Sequence, residues 1–289
     1  MQQEEIMAQR DSLERNNAEL NKAFEQISVQ SDIIRKKNED ITSSINYAKR
    51  IQEAIMPQEH ILTDYLKESF ILFKPRDIVS GDFFWFAVAD DKLVVTAVDC
   101  TGHGVPGALM SMIGCNLLHQ IVNERGILEP DQILNEMHDG VQRTLKQGQN
   151  GSRDGMDMAL CVVDKKNKWL KYAGAKNPLL YIQDGQEHVV KANRFPIGGR
   201  VLDESEPYQC HTILLDRPTT FYLYSDGFQD QFGEANNRKY MSKNFRDLLV
   251  RVHHLPMDQQ RQALDQELES WKGYIKQLDD VLVLGGRIA

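Results

Sequence analysis

The chain has 289 residues, 41% of them hydrophobic and 26% charged, with a formal net charge of −8. This is the composition of a folded chain with a sizeable core in one or two domains. Its acidic balance argues against nucleic acid or an anionic membrane as the main partner, since both need a basic face. The four cysteines show no C-x-x-C spacing, so neither a disulfide framework nor a zinc site is expected and a reducing, cytoplasmic compartment is. No apolar run reads as long enough to span a bilayer, and the polar N-terminus is not a signal peptide.

Residues 1–56 contain no Gly or Pro, and Ile6, Leu13, Leu20, Ile27, Ile34 and Ile41 recur one residue in seven. That seam predicts a coiled coil. The accompanying row, Arg10, Asn17, Phe24, Ser31, Asn38 and Ile45, is mostly polar, which predicts a weak, easily rearranged homodimer helix roughly 80 Å long at about 1.5 Å per residue. The apolar face widens from Ile45 to Met56, as for a helix that packs on a globular body, and Pro57 ends it. The expected division is therefore a helical regulatory segment over 1–57 and a catalytic domain over 58–289, with no flexible linker between them. The heptads are already in progress near residue 6, so an upstream sensor is expected if the chain is a piece of a longer, membrane-attached protein.

Strands are predicted at Phe70–Lys74, Asp82–Ala89 and Leu93–Asp99, then an apolar helix at Val105–Val122 and a second helix from Pro130 to about Leu145. Strands follow at Met158–Asp164, Trp169–Ala173, Leu179–Gln183, His188–Lys191, Gln209–Leu214 and Thr219–Tyr224. Two helices, near Ser242–Val252 and Pro256–Tyr274, precede a last strand at Val281–Arg287. Strands in hairpins and helices in pairs predict an α+β fold of antiparallel sheet packed by helices.

Aspartates recur at the strand ends. Asp82 opens one strand and Asp99 closes the next, and the turn at Asp90-Asp91 brings both to one end of a hairpin. Asp226 follows one apolar run, Asp279-Asp280 precede another, and Asp154 and Asp157 precede a third. Any one of these alone is an ordinary turn residue. Carboxylates gathered at a common rim repel unless a cation sits among them, and an oxygen-only donor set suits Mg²⁺ or Mn²⁺. Two such ions would bridge a water and direct it at phosphorus.

V-S-G-D-F-F-W-F (79–86), D-C-T-G-H-G-V-P-G-A-L-M-S-M (99–112), D-G-M-D-M-A-L (154–160), Y-S-D-G-F (224–228) and D-D-V-L-V-L (279–284) together resemble the protein phosphatase 2C-like (PPM) family, in its sporulation stage II protein E (SpoIIE) branch. The resemblance covers about residues 60–289, and N-Y-A-K-R-I-Q-E-A-I-M-P (46–57) is similar to the helical lead-in of such domains. It implies an α-β-β-α sandwich and a serine/threonine phosphatase with two Mn²⁺ or Mg²⁺ ions. Asp99 would bridge both ions, with Asp82, Asp226, Asp279 and the Cys100 carbonyl completing the set and Asp157 reaching a third, weaker ion. His103 resembles the general acid for the leaving alkoxide, and Arg76 is the nearest candidate for a phosphate contact, although its spacing fits poorly and a surface arginine beside Asp77 is an equal reading. The substrate implied is a phosphoserine on a STAS-type anti-sigma antagonist or similar signalling protein. The helix after Asp99 is a plausible lever through which the coiled coil acts. The rival reading is a non-catalytic dimeric signalling scaffold that keeps the fold. A metal-dependent phosphodiesterase shares the chemistry but is disfavoured by the lack of a basic patch.

Overall fold

Strands in which nearly every residue is apolar need cover on both faces, and the chain supplies that cover with two sheets and two helical layers. The structure, a computed structural model, describes residues 2–149, 151–199, 207–235 and 237–288. Two compact units result, Met1–Ala48 and Lys49–Ala289.

The first unit lies within one unbroken helix, α1 (Gln2–Ile55). Its seam residues Ile6, Leu13, Leu20, Phe24, Ile27, Ile34 and Ile41 are all exposed, so nothing in the single chain covers them.

The second unit runs from the last turns of α1 through α2 (Glu59–Tyr65), β1 (Ser69–Lys74), β2 (Phe83–Ala89), β3 (Lys92–Cys100), α3 (Gly104–Leu118) and α4 (Pro130–Leu145). It continues through β4 (Gly155–Asp164), β5 (Trp169–Ala175), β6 (Leu179–Gln183), β7 (Gln186–Val190), β8 (Ile197–Gly198), β9 (His211–Leu214) and β10 (Thr219–Tyr224). It closes with α5 (Gly227–Asp230), α6 (Ser242–Val252), α7 (Met257–Lys272) and β11 (Val281–Ile288). One sheet has the order β1-β11-β10-β6-β7 and the other β2-β3-β4-β5-β9, with β8 appended to β4. Every ladder between these strands is antiparallel.

Side chains alternate across each strand, so β3 sends Val94 and Val98 to one face and Val95 and Ala97 to the other. The first pair packs with Leu118, Ile133, Met137 and Val141 of the α3/α4 layer. The second packs with Leu223, Leu282 and Leu284 of the opposite sheet. On the far side, Tyr222, Tyr224 and Val283 meet Phe245, Leu249 and Leu264 of α6 and α7. The layers are therefore α-β-β-α, as the resemblance implied. Burying each large side chain of this kind contributes about 1.5–3 kcal/mol.

α3 reaches the sheet closely because it is rich in small residues. A Cβ on Gly114 would fall 2.6 Å from the Phe83 ring. The helix continues through a π-helical turn, His119–Glu124. The span Gly104–Glu124, 21 residues with mean hydropathy 1.3, is long and apolar enough by length and composition to cross a membrane, contrary to the expectation from sequence. Half of that window is buried within the unit, where Cys115, Leu118, Ile121 and Val122 belong to the core under the sheet.

Candidate metal centre

Antiparallel register brings the aspartates together. Phe83 pairs with Val98 and Asp99 with Asp157, so Asp82, Asp99 and Asp157 stand side by side at one end of the six-stranded sheet. In the other sheet Tyr224 pairs with Val283, and Ser225 and Leu282 exchange hydrogen bonds (Ser225 N to Leu282 O, 3.0 Å; Leu282 N to Ser225 Oγ, 3.1 Å). That pairing sets Asp226 at the end of β10 beside the start of β11, where Asp279 and Asp280 lie. The two sheets present these ends at a common rim.

Four carboxylates converge. Asp99 acts on Asp82, opposite it across the β2–β3 ladder, and feels the charge of Asp226 from the other sheet. Burial, then the charges of Asp226, Asp157 and Asp279, push its carboxyl up to about 8. Burial, then the Asp99 charge, holds Asp82 well above the usual carboxylate range. Burial also raises Asp226, with Asp230 and Asp279 adding to it, and raises Asp279.

Three outer carboxylates differ in having cations of their own. Asp77 takes His103 Nδ1 at 3.3 Å and Arg76 Nε at 3.8 Å, Asp157 takes Lys176 Nζ at 3.2 Å, and Asp230 takes Lys239 Nζ at 2.7 Å. Among the described residues none forms an ion pair with the inner four, although the charges of Arg76 and His103 act on Asp279, and Asp82 Oδ2 is buried with no hydrogen-bond partner among them. An all-oxygen set with surplus negative charge and an orphaned buried oxygen fits hard divalent cations such as Mg²⁺ or Mn²⁺. A second acidic group, Glu129, Asp131 and Cys210, has ligand atoms within 4.8 Å of one another. There Lys171 Nζ lies 2.8 Å from both oxygens of Glu129 and already supplies the cation.

The loop after Asp99 is shaped by its glycines. Gly102 (φ +85°) and Gly104 (φ +63°) occupy left-handed backbone on either side of His103, a conformation that L side chains disfavour. A Cβ on Gly107 would lie 2.2 Å from the Gly102 carbonyl oxygen and 2.8 Å from Gly81 Cα, so the first turn of α3 presses directly on both acidic loops. Thr101 fixes the loop to β4, its Oγ1 donating to Gly155 O (3.0 Å) and accepting from Gly155 N (2.8 Å). The Cys100 side chain is buried in the core under α3. His103 stands half exposed at the start of α3. The Arg76 guanidinium donates to Leu278 O (2.9 Å) and neighbours Asp77, so it is already engaged at the rim.

Four further residues hold the site; of these the sequence offered only Asp280, as the second of the acidic pair 279–280, and not its role. The buried Asp280 carboxylate accepts from Arg76 N (2.7 Å) and Gly81 N (2.8 Å), with Asp82 N at 3.4 Å, and so clamps the loop that carries Asp82. Buried Gln231 accepts from Leu278 N (3.1 Å) and donates to Lys276 O (3.3 Å), tying the approach to Asp279 to the segment after Asp226. Gln52, in the last turns of α1, donates to Ser80 O (2.6 Å) and Ser111 Oγ (2.8 Å) and accepts from Ser80 N (3.2 Å). Lys176 reaches Asp157 from the end of β5. Of the other three, only Gln52 left a signal: it continues the row Asn38, Ile45 by seven and is a polar residue where that row meets the body.

The stage II sporulation protein E (SpoIIE) family model matches residues 89–288. The chain belongs to the SpoIIE family. It is accordingly a protein serine/threonine phosphatase of the PP2C type, a family dependent on Mg²⁺ or Mn²⁺. Asp82 lies just outside the matched residues, so its place rests on geometry.

The SiaA-PP2C domain of Pseudomonas aeruginosa is 34% identical, with TM-score 0.79 over 87% of this chain and 98% of that one. The PP2C domain of SpoIIE from Bacillus subtilis, with a fragment of its regulatory domain, is 17% identical, with TM-score 0.60 over 76% of this chain and 63% of that one. RsbX in complex with magnesium is 13% identical, with TM-score 0.53 over 76% and 94%. The last two likenesses show the fold alone. No curated protein sequence matches the chain.

Proposed function

We propose that this SpoIIE-family domain hydrolyses a phosphoserine or phosphothreonine on a bacterial signalling protein, with two Mn²⁺ or Mg²⁺ ions held by Asp82, Asp99, the Cys100 carbonyl, Asp226 and Asp279. The observation that carries this reading is the set of four inner carboxylates with no ion-paired cation among the described residues, beside three outer ones that have one. Four negative charges match two divalent cations.

Ions of this kind, when bound, polarise a phosphoryl group and acidify water. The chain's own residues have separate tasks. Asp99, which interacts with both Asp82 and Asp226, would be the carboxylate shared by the two ions. Asp280 and Gln231 hold the two loops that bring Asp82 and Asp279 from different sheets to one rim. His103, oriented by Asp77, is placed to give a proton to the departing serine oxygen. Arg76, held by Leu278 O, is suited to positioning the rim and less so to grasping phosphate.

Catalysis is assigned to 58–289 and regulation to the helix over 1–57. The exposed heptad seam supports a homodimer through α1. Gln52 connects the same helix to Ser80, two residues before Asp82, and to α3, so a rotation of its last turns would move one acidic loop and the helix that presses on it. A cytoplasmic setting, an upstream sensor and a STAS-type phosphoprotein substrate belong to the same proposal, supported by the SpoIIE-family match, by the SiaA relative and by four free cysteines.

The test is Mn²⁺-dependent phosphate release from a phosphoserine protein and from a phosphodiester, with Asp99→Asn as control. Release from the phosphoprotein alone, abolished in the variant, is expected. Activity on neither substrate would leave a non-catalytic scaffold.

A further inference from the structure

The outer carboxylate Asp157 stands in a different relation to the site from the inner four. It is the rung opposite Asp99 in the β3–β4 ladder and adds to the charge felt by Asp99 and Asp226. On its other side the β4–β5 ladder ends with Met158 opposite Ala175, so the next position on each strand is Asp157 and Lys176. Register alone therefore brings a lysine to the carboxylate opposite Asp99 in the β3–β4 ladder.

The loop then fixes that lysine. Lys176 has φ +59°, in left-handed backbone, although it is not a glycine. Its N–H donates to Asn193 O (2.8 Å), while Asn193 N donates to Gly174 O (2.9 Å). Asn177 N donates to Ala175 O (2.7 Å), and the buried Tyr172 hydroxyl donates to Asn177 O (2.6 Å). Space for this arrangement exists because residue 174 is glycine: a Cβ there would lie 2.0 Å from the Tyr172 hydroxyl and 2.7 Å from Asn177 O. Backbone strain held in place from both sides marks a side chain whose direction matters. The ammonium so directed lies 3.2 Å from Asp157 Oδ1.

We infer that Lys176 is a built-in cation occupying the place at Asp157 that a third divalent ion would otherwise take, so that two ions are the full complement of this centre. The inference rests on the two-ion reading above. An ammonium in contact with the carboxylate neutralises the charge that would attract a further ion and repels any ion that approaches. A lysine differs from a bound ion in staying at all metal concentrations, so the charge beside Asp99 does not vary with supply. The expectation from sequence that Asp157 reaches a third ion is replaced by this assignment.

The test counts ions. Mn²⁺ bound per chain is measured by electron paramagnetic resonance of free Mn²⁺ and by titration calorimetry, up to millimolar Mn²⁺. The proteins are the full chain, Lys176→Met, Lys176→Gln, Asp157→Asn, Lys176→Met/Asp157→Asn and Asp99→Asn, each with its thermal melt recorded. Expected are two ions in the full chain and in Asp157→Asn, three in both single lysine variants, and two again in the double variant. Three ions in the unaltered chain falling to two in Asp157→Asn would overturn the inference. So would two ions in lysine variants that melt as the unaltered chain does. Loss of the underlying reading has a separate signature: no stoichiometric Mn²⁺ in the unaltered chain, or binding indifferent to Asp99→Asn.

Discussion

Asp280→Asn separates two effects that act in opposite directions. The carboxylate accepts from Arg76 N at 2.7 Å and Gly81 N at 2.8 Å through different oxygens, and the residue is only 1% exposed. Asparagine keeps one acceptor and turns an amide NH₂ toward the other N–H, so one charged hydrogen bond is lost and one buried donor is left unpaired. A hydrogen bond to a charged group is worth about 1.5–3 kcal/mol. Against this, Asp280 is one of the charges that raise Asp82 and Asp279, and removing it relieves repulsion in the metal-free protein. Bound cations would already have cancelled that repulsion, leaving the hydrogen-bond loss unopposed. The variant is therefore expected to be destabilised by about 2–3 kcal/mol with saturating Mn²⁺, roughly 4–12 °C in Tm for a unit of this size, and by clearly less in chelator. Denaturant unfolding of both proteins in both conditions reads this directly. An equal loss with and without Mn²⁺ would refute the repulsion, and no loss in Mn²⁺ would refute the clamp.

Gly107→Ala adds a Cβ 2.2 Å from one backbone oxygen, and the resulting shift of the Asp99 loop is expected to lower phosphatase activity on the order of 10²-fold while far-ultraviolet circular dichroism stays unchanged. For pH, the folded Asp99 holds its proton up to about 8, whereas in the unfolded chain it releases it near about 4. The folded state thus binds more protons across that window, so metal-free stability falls as pH rises from about 4 to about 8. Mn²⁺ should flatten the fall, and guanidinium unfolding at several pH values, with and without Mn²⁺, checks both parts. Phe24→Lys with Ile27→Lys places charges on the exposed seam and is expected to shift sedimentation from dimer to monomer while the melt of the catalytic unit is unchanged.

Much of the fold was legible because both periodicities are strong in this chain. β3, β4, β10 and β11 are continuous apolar runs, and the heptads of α1 are uninterrupted over 1–56. The short α2 was not legible: it has no side-chain cap, and its buried Leu62 reads equally as loop or strand. Nor was the two-residue β8, which exists only because β4 offers an edge. In the site, the inner aspartates were legible because each ends an apolar run. Gln231, Lys176 and the clamping role of Asp280 were not, because they depend on partners 45 to 204 residues away or on a left-handed loop, and neither leaves a local pattern.

The proposed ion ligands come in pairs from different sheets, Asp82 and Asp99 from one and Asp226 and Asp279 from the other. Cations held there would act as rivets through the open end of the sandwich. The far end, near Leu62 and Leu66 of the α2 region, is joined by apolar packing and by direct hydrogen bonds such as Gln183 Nε2 to Leu214 O (2.9 Å) and Tyr65 Oη to Val163 O (3.1 Å), none of which involves an ion. Breathing at the two ends should then answer to different variables. The opening free energy read from amide exchange around Phe83, Val98, Tyr224 and Val281 would rise by RT ln(1 + [Mn²⁺]/Kd) per ion, while exchange near α2 would follow temperature and denaturant alone.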